Sequence, residues 1–470
     1  MKKLISMFLM ITLIGTALFS LTGCGNDEED LSAKIEEKVG AYLTDLEDSK
    51  STLTSVQAVR DYLCNWAKSK GIQYTADSHD NVIMRAAASK EYEEAPPTVV
   101  LCSYDPAQID NCLDPMAVAL YVIKNNEATG DLTVIFASEE NHDFSGISSL
   151  NSKYFKDDAN VFCLNGGSRN MWSFKTGGSS SYSFTNQLTY SVPEGEKAFK
   201  IQIEGLPGGI PDSKISSYPN AIKEIGDLLA YFKTNTLIYE LADVSGGESG
   251  SLYPCSAEAT IVIDEDDFEK FQTRIETAIE TFNEDYLEDY PEVTYTYEEV
   301  SLPEQVLSQD SLNEFVSILY TLIDGVYARD EEDNLLSITS IGSVNMDDDA
   351  YRISAIGNGL YDASLKEIDN EYMTICGLSD VNYDKTGGKS PWSAPSDSEF
   401  AQAVSDAFND YCGKDMEYKD YVSLANTSYV TEKNENCNIV NVTLNEDKIE
   451  RYAGTIITFM LNQPHTEIAD

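Results

Sequence analysis

Apolar residues recur at helical spacing over Val56, Val59, Tyr62, Leu63 and Trp66, and this spacing predicts an amphipathic helix. Beyond it the pattern switches to short apolar runs of strand type at 81–85, 98–103, 132–137 and 160–164. Helix-type stretches at 115–123 and 145–155 separate them. Apolar strands alternating with helices predict an α/β domain with a mixed, largely parallel sheet flanked by helices. Such sheets carry their chemistry in the loops at the C-terminal strand ends. Here those loops are 103–114, 138–145 and 165–169.

After Gly177-Gly178 the texture changes. Residues 197–204 alternate as a strand, 220–232 read as a helix, 258–264 as a strand and 266–282 as a long helix, with similar alternation from 293 to 378. This predicts an inserted α+β lid domain over 178–385, about 200 residues and so of ordinary domain size. The Gly-, Ser- and Pro-containing stretch 385–395 reads as the return linker. A helix at 396–411, a strand near 439–444 and a helix at 449–462 then complete the first domain, which comprises 31–177 and 386–470.

The first residues change the picture of where the chain resides. Lys2 and Lys3 precede an apolar run to Leu21, and Leu21-Thr22-Gly23-Cys24 follows. A basic start, an apolar stretch and small residues make a secretory signal over 1–23. Small residues immediately before a cysteine resemble a bacterial lipobox. The expectation is a diacylated Cys24 at the extracytoplasmic face of a bacterial membrane, since two acyl chains hold stably where one is marginal. An uncleaved membrane anchor is the alternative, the run being just long enough to span. Residues 24–30, with Asp27-Glu28-Glu29-Asp30, read as an acidic tether. A net charge of −48 argues against nucleic acid and anionic surfaces as partners, because both repel it. Cys102 and Cys163 lie in apolar strand-type runs, where buried free thiols are expected.

The order of several pieces resembles the aminoacyl-histidine dipeptidase (Xaa-His dipeptidase) branch of the clan MH zinc peptidases. They are Gly71-Ile72-Gln73 leading to Asp80-Asn81-Val82-Ile83, then Ala95-Pro96-Pro97-Thr98-Val99-Val100-Leu101, then Phe136-Ala137-Ser138-Glu139-Glu140 to Gly146. The insert adds Gly205-Leu206-Pro207-Gly208-Gly209, Asn220-Ala221-Ile222-Lys223 and Ser245-Gly246-Gly247. The resemblance implies a peptidase domain with an inserted lid of dimerisation type, hence a homodimer. It also implies two zinc ions bridged by a carboxylate, with a glutamate as general base.

At the positions the resemblance assigns to that site, this chain departs. Tyr104 falls at the first histidine ligand and Pro106 at the aspartate after it. Asp114 falls at the bridging aspartate. The base and ligand pair falls on Glu140 and Asn141, or on Glu139 and Glu140 with a one-residue slip. Asn165 takes the next acidic ligand. A late histidine ligand belongs near 422–427 or after 442, and no histidine lies between His142 and His465. In the insert Ile210, Ser251 and Ile356 replace a histidine, an asparagine and a carboxylate-binding arginine. Asparagine lacks carboxylate charge, and isoleucine and proline cannot ligate. What remains is Asp114 and Glu140, with Asp105 or Glu139, and two carboxylates without imidazole hold zinc poorly. No bound cofactor is therefore expected.

The whole chain has three histidines, His79, His142 and His465, in no metal-ligand spacing. His142 in Glu139-Glu140-Asn141-His142-Asp143 reads as a loop histidine, or as a ligand or base beside the old site. Cys102 with His142 is a thiol and base pair on paper, against a core reading for Cys102. The run Asp347-Asp348-Asp349 lacks the spaced ligands of a calcium loop and reads as a hairpin cap. The chemistry predicts an exported lipoprotein without zinc-dependent peptidase activity, binding a peptide or other ligand in the interdomain cleft. An altered metallo-dipeptidase around Asp114, Glu140 and His142, or a module docking an envelope protein, are the competing readings.

Overall fold

The computed structural model describes residues 27–466, except 127–128, 213, 215–216, 348 and 446, and side chains from residue 32 onward. The expected signal and Cys24 lie outside the described residues. Asp27-Glu28-Glu29-Asp30, expected as part of a tether, instead opens the helix Asp27–Ser49. That helix packs on the domain through Ile35, Val39 and Leu46, all buried. No described helix is long and apolar enough to cross a membrane.

The first domain is built on a seven-stranded sheet. Its order is Gln73–Ala76, Val82–Ala86, Leu132–Ser138, Thr98–Tyr104, Asn160–Gly166, Asn438–Leu444 and Met171–Ser173. The four strands from Leu132–Ser138 to Asn438–Leu444 run parallel and the outer pairings are antiparallel. Alternation divides Thr98–Tyr104 between two cores. Val100, Cys102 and Tyr104 face the core beneath the helices Val56–Lys70 and Ile109–Lys124, while Val99 and Leu101 face the opposite one. Parallel strands need both faces covered, and here they have it.

Two helices differ from expectation. The segment 145–155 is not one helix but a short helix Ser145–Ser149 and a separate turn Ser152–Tyr154, the turn capped by the Asn151 side chain. Pro115 does not start its helix: it lies inside Ile109–Lys124. A proline brings no N–H to the carbonyl four residues back, here that of Asn111. That carbonyl stands against Gly166, where a Cβ would collide with it.

The insert carries most of an eleven-stranded sheet, which reaches the first domain through one long strand, Lys175–Gln187. Its first residues pair with Trp392–Ser393 and Tyr421–Leu424 of the first domain. From Gly178 onward it pairs with Ala350–Gly359 and Asn382–Lys389 of the insert. The Gly177-Gly178 step is required because side chains there would run into the backbones of Val422 and Lys389. Residues expected as the return linker are mostly strand: Asn382–Lys389 is the sheet edge, with a register shift at Lys385/Gly387. Asp347 accepts N–H bonds from Asp349 and Ala350 at the hairpin between Leu335–Met346 and Ala350–Gly359, as a cap does.

Candidate functional site

A cavity opens at the C-terminal ends of the parallel strands, where the insert meets the first domain. Ser103, Asp105, Gln108, Asn111, Cys112, Glu139, His142, Asn165 and Gly166 line it from below, with Ile210, Tyr421 and Leu424 as its apolar wall. Asn81 sets its geometry. This fully buried amide accepts from Ser138 N–H at 3.0 Å and donates to the Gly146 carbonyl at 3.2 Å and Ser149 Oγ at 3.1 Å. It thereby ties the end of Leu132–Ser138 to the helix after the Glu139–Phe144 turn. Within that turn Asn141, His142 and Phe144 hold left-handed backbone, which non-glycine residues adopt only when the surroundings demand it.

Glu139 is the inward carboxylate of this turn, only 3% exposed, and Glu140 is in solvent. Of the two glutamates that the resemblance offers for the general base, Glu139 is the one that faces the cleft. Glu139 Oε1 accepts from Ser103 Oγ, and Oε2 lies 3.4 Å from His142 Nδ1. Ser103 Oγ in turn accepts from Asn426 Nδ2 at 2.8 Å, which also donates to Asn165 Oδ1 at 3.1 Å. Asn165 Nδ2 continues to Asn441 Oδ1 at 2.7 Å. The strand ends are thus joined by a chain of one hydroxyl and three neutral amides. Asn426 occupies the stretch 422–427 in which the resemblance calls for a histidine.

Asp105 is the second cavity carboxylate. It accepts N–H bonds from His142 at 2.9 Å and Ala107 at 3.0 Å. Burial still pushes its carboxyl above the ordinary range, against those two bonds. Cys112 is buried beside it, accepting from Asp105 N–H at 3.3 Å, and burial pushes the thiol up, away from a reactive thiolate. Cys102 is in the helix-side core, its thiol also raised by burial and directed at the Ser103 carbonyl, and it forms no pair with His142.

The positions singled out in the sequence divide between cleft and framework. Asn165, Ile210, Asp105, Glu139 and His142 come together in the cavity. Tyr104 does not: its ring is in the core and its hydroxyl donates to the Asp80 carbonyl at 2.7 Å. Burial raises its phenol. Pro106, Asp114, Asn141, Ser251 and Ile356 are outside the lining; Asp114 is buried within its helix and Ile356 within the insert sheet. Ser103 was legible in principle, because period two places it opposite Cys102 and Tyr104. Asn426 had no comparable signal. His79 is in a turn beside Ser78, and His465 stacks on Tyr92 with ring centroids 4.9 Å apart.

The insert closes the cavity from above. Gly209 pairs with Tyr253 through two backbone hydrogen bonds, holding the loop that carries Ile210. Ser423 Oγ donates to the Pro211 carbonyl, and Asp212 accepts from Ser168 N–H at 3.0 Å.

This architecture is the two-domain fold of solved dipeptidase structures. The chain is similar in structure to aminoacylhistidine dipeptidase from Vibrio alginolyticus, with a TM-score of 0.58 and 17% identity over 92% of this chain and 99% of that one. More distant are Dug1p of Saccharomyces cerevisiae (TM-score 0.48, 11% identity, 93% and 98% covered) and human carnosine dipeptidase 1 (0.47, 9%, 92% and 98%). No protein-family model and no curated protein matches the sequence significantly.

The zinc pair implied by the resemblance does not fit this donor set. Among the described residues no group of three or more His, Cys, Asp or Glu is placed to hold a metal ion. In the cavity, both Asp105 oxygens take backbone N–H bonds, and neutral amides stand at Asn165 and Asn426. Zinc is held by thiolate, imidazole and carboxylate in tetrahedral sets.

Proposed function

We propose that this protein is an exported lipoprotein, anchored through Cys24 at the extracytoplasmic face of a bacterial membrane. In this reading it binds a small peptide or similar ligand in the closed interdomain cleft and performs no zinc-dependent peptide hydrolysis. The observation that supports this reading most is the hydroxyl and amide chain Ser103–Asn426–Asn165–Asn441 at the strand ends. It places neutral groups at the strand ends and leaves Glu139 and Asp105 as the carboxylates of the cavity. A cavity at a domain junction, polar below and apolar above, is a natural place for a ligand. The fold alone does not decide function, and the side chains of the cavity carry the argument.

The test is metal content and turnover of the full chain purified in detergent. Less than 0.1 equivalent of zinc and no cleavage of a dipeptide library with added Zn²⁺, Mn²⁺ or Co²⁺ is the expected result. Stoichiometric metal with turnover abolished by Glu139→Gln would establish an altered hydrolase instead, with His142 and Asp105 as its remaining ligands. Anchoring is checked separately: Cys24→Ser should move the protein from the membrane to the soluble fraction, and unchanged membrane retention would refute lipidation.

A further inference from the structure

The cavity has an excess of acceptors. Its charged lining residues are Asp105, Glu139 and His142, with no lysine or arginine. Even a protonated His142 leaves one carboxylate charge without a cation among the described lining residues. Buried carboxylates are costly unless a cation or several donors face them. The neutral groups lean the same way. Asn426 is fully buried, spends both Nδ2 hydrogens on the lining residues Ser103 and Asn165, and leaves Oδ1 with no partner. Buried polar atoms are nearly always paired, so an orphaned acceptor beside a cavity marks a missing donor. Gln108 and Asn111 already bond each other, Gln108 Oε1 accepting at 3.2 Å. The apolar part of the lining is Ile210, Tyr421 and Leu424.

From this arrangement we infer that the cleft takes a small organic ammonium with an apolar tail, its N–H groups directed at Glu139 and its tail at Ile210 and Leu424. An ammonium has three donors and no acceptor, the complement of this lining. An anion would meet Glu139 and Asp105 directly and be repelled. The inference rests on the reading of the cleft as a binding site and names what that site recognises.

Titration calorimetry on the full chain with leucinamide and N-acetyl-leucinamide separates the possibilities. Leucinamide should bind, with the acetylated form at least tenfold weaker because its nitrogen is uncharged. Glu139→Gln should weaken leucinamide at least tenfold. Ile210→Trp, which fills the cavity from the insert side without altering charge, should abolish binding and guards against misfolding of the first variant. Equal binding of the two compounds, or unchanged binding in Glu139→Gln, would overturn the ammonium assignment. So would stoichiometric Zn²⁺ or Ca²⁺ that competes with leucinamide. If leucinamide fails while some N-blocked peptide binds and is displaced by Ile210→Trp, only the ammonium assignment falls. If nothing binds, the binding-protein reading falls with it.

Discussion

At pH 8 an Asp324→Asn variant is expected to unfold at a higher temperature than the unsubstituted protein, and at pH 5 at the same temperature or slightly lower. Asp324 is in the insert, with Oδ1 accepting from Asn220 Nδ2 at 2.7 Å and Ile341 N–H at 2.8 Å and Oδ2 3.5 Å from the Tyr253 hydroxyl. Burial raises its carboxyl to about 7 despite these bonds and despite Lys223. Burial, reinforced by Asp227, Asp285 and Asp324, raises Glu224 to about 7 as well, with Lys223 opposing. In the unfolded chain both acids ionise near pH 4. Between about pH 4 and pH 7 the folded protein therefore keeps protons that the unfolded chain has released. Stability falls as pH rises through that window and levels off above it. From pH 5 to pH 8 the loss is on the order of 2 kcal/mol for each group. Asparagine keeps the acceptor at Oδ1 and carries no charge, so the variant escapes its share of the loss. Glu224→Gln should behave similarly. Melting curves at the two pH values decide it, and a variant that is equally destabilised at both would contradict the account.

Asn81→Leu should lower the unfolding free energy by roughly 3 kcal/mol, because buried backbone groups lose their partners at once. The Asn81 amide holds Ser138 N–H and the Gly146 carbonyl, and its own N–H and Nδ2 are fixed by Asp77 at 3.0 and 2.8 Å. Leucine has the same branched shape but is larger and offers no donor or acceptor. Gly146 packs too closely on Ser138 for the helix to shift and compensate. Because these contacts set the Glu139–Phe144 turn, the same variant should also loosen the cavity. Urea denaturation measures the first effect. A loss under about 1 kcal/mol would mean that water replaces the amide, which the complete burial of Asn81 opposes.

Much of the framework is legible in the sequence. The helix Val56–Lys70 follows from its apolar spacing, and the strands Thr98–Tyr104, Leu132–Ser138 and Asn160–Gly166 follow from apolar runs that only a doubly covered sheet accommodates. The failures have local causes. Pro115 reads as a helix start, yet it lies inside Ile109–Lys124, with the Asn111 carbonyl packed against Gly166. Gly387-Gly388 reads as a linker, yet pairing with Ser180 and Ser181 makes it strand. Acidic residues 27–30 read as a tether, yet they extend a helix whose later turns are buried.

The site was legible as a location and not as a set of groups. Sequence by itself determined the dipeptidase-type order of elements, the loops that face the cleft, and the absence of histidine from every place the resemblance requires one. Those follow from hydrophobic period and residue identity, which are local properties. Which carboxylate turns inward was decided only by tertiary structure, because left-handed residues at 141, 142 and 144 reverse the chain and send Glu139 into the cleft and Glu140 into solvent. The partnership of Ser103 with Asn426 joins residues 323 positions apart. No local pattern encodes such a contact; it exists because the end of Thr98–Tyr104 and the start of the helix Asn426–Lys433 meet in the fold.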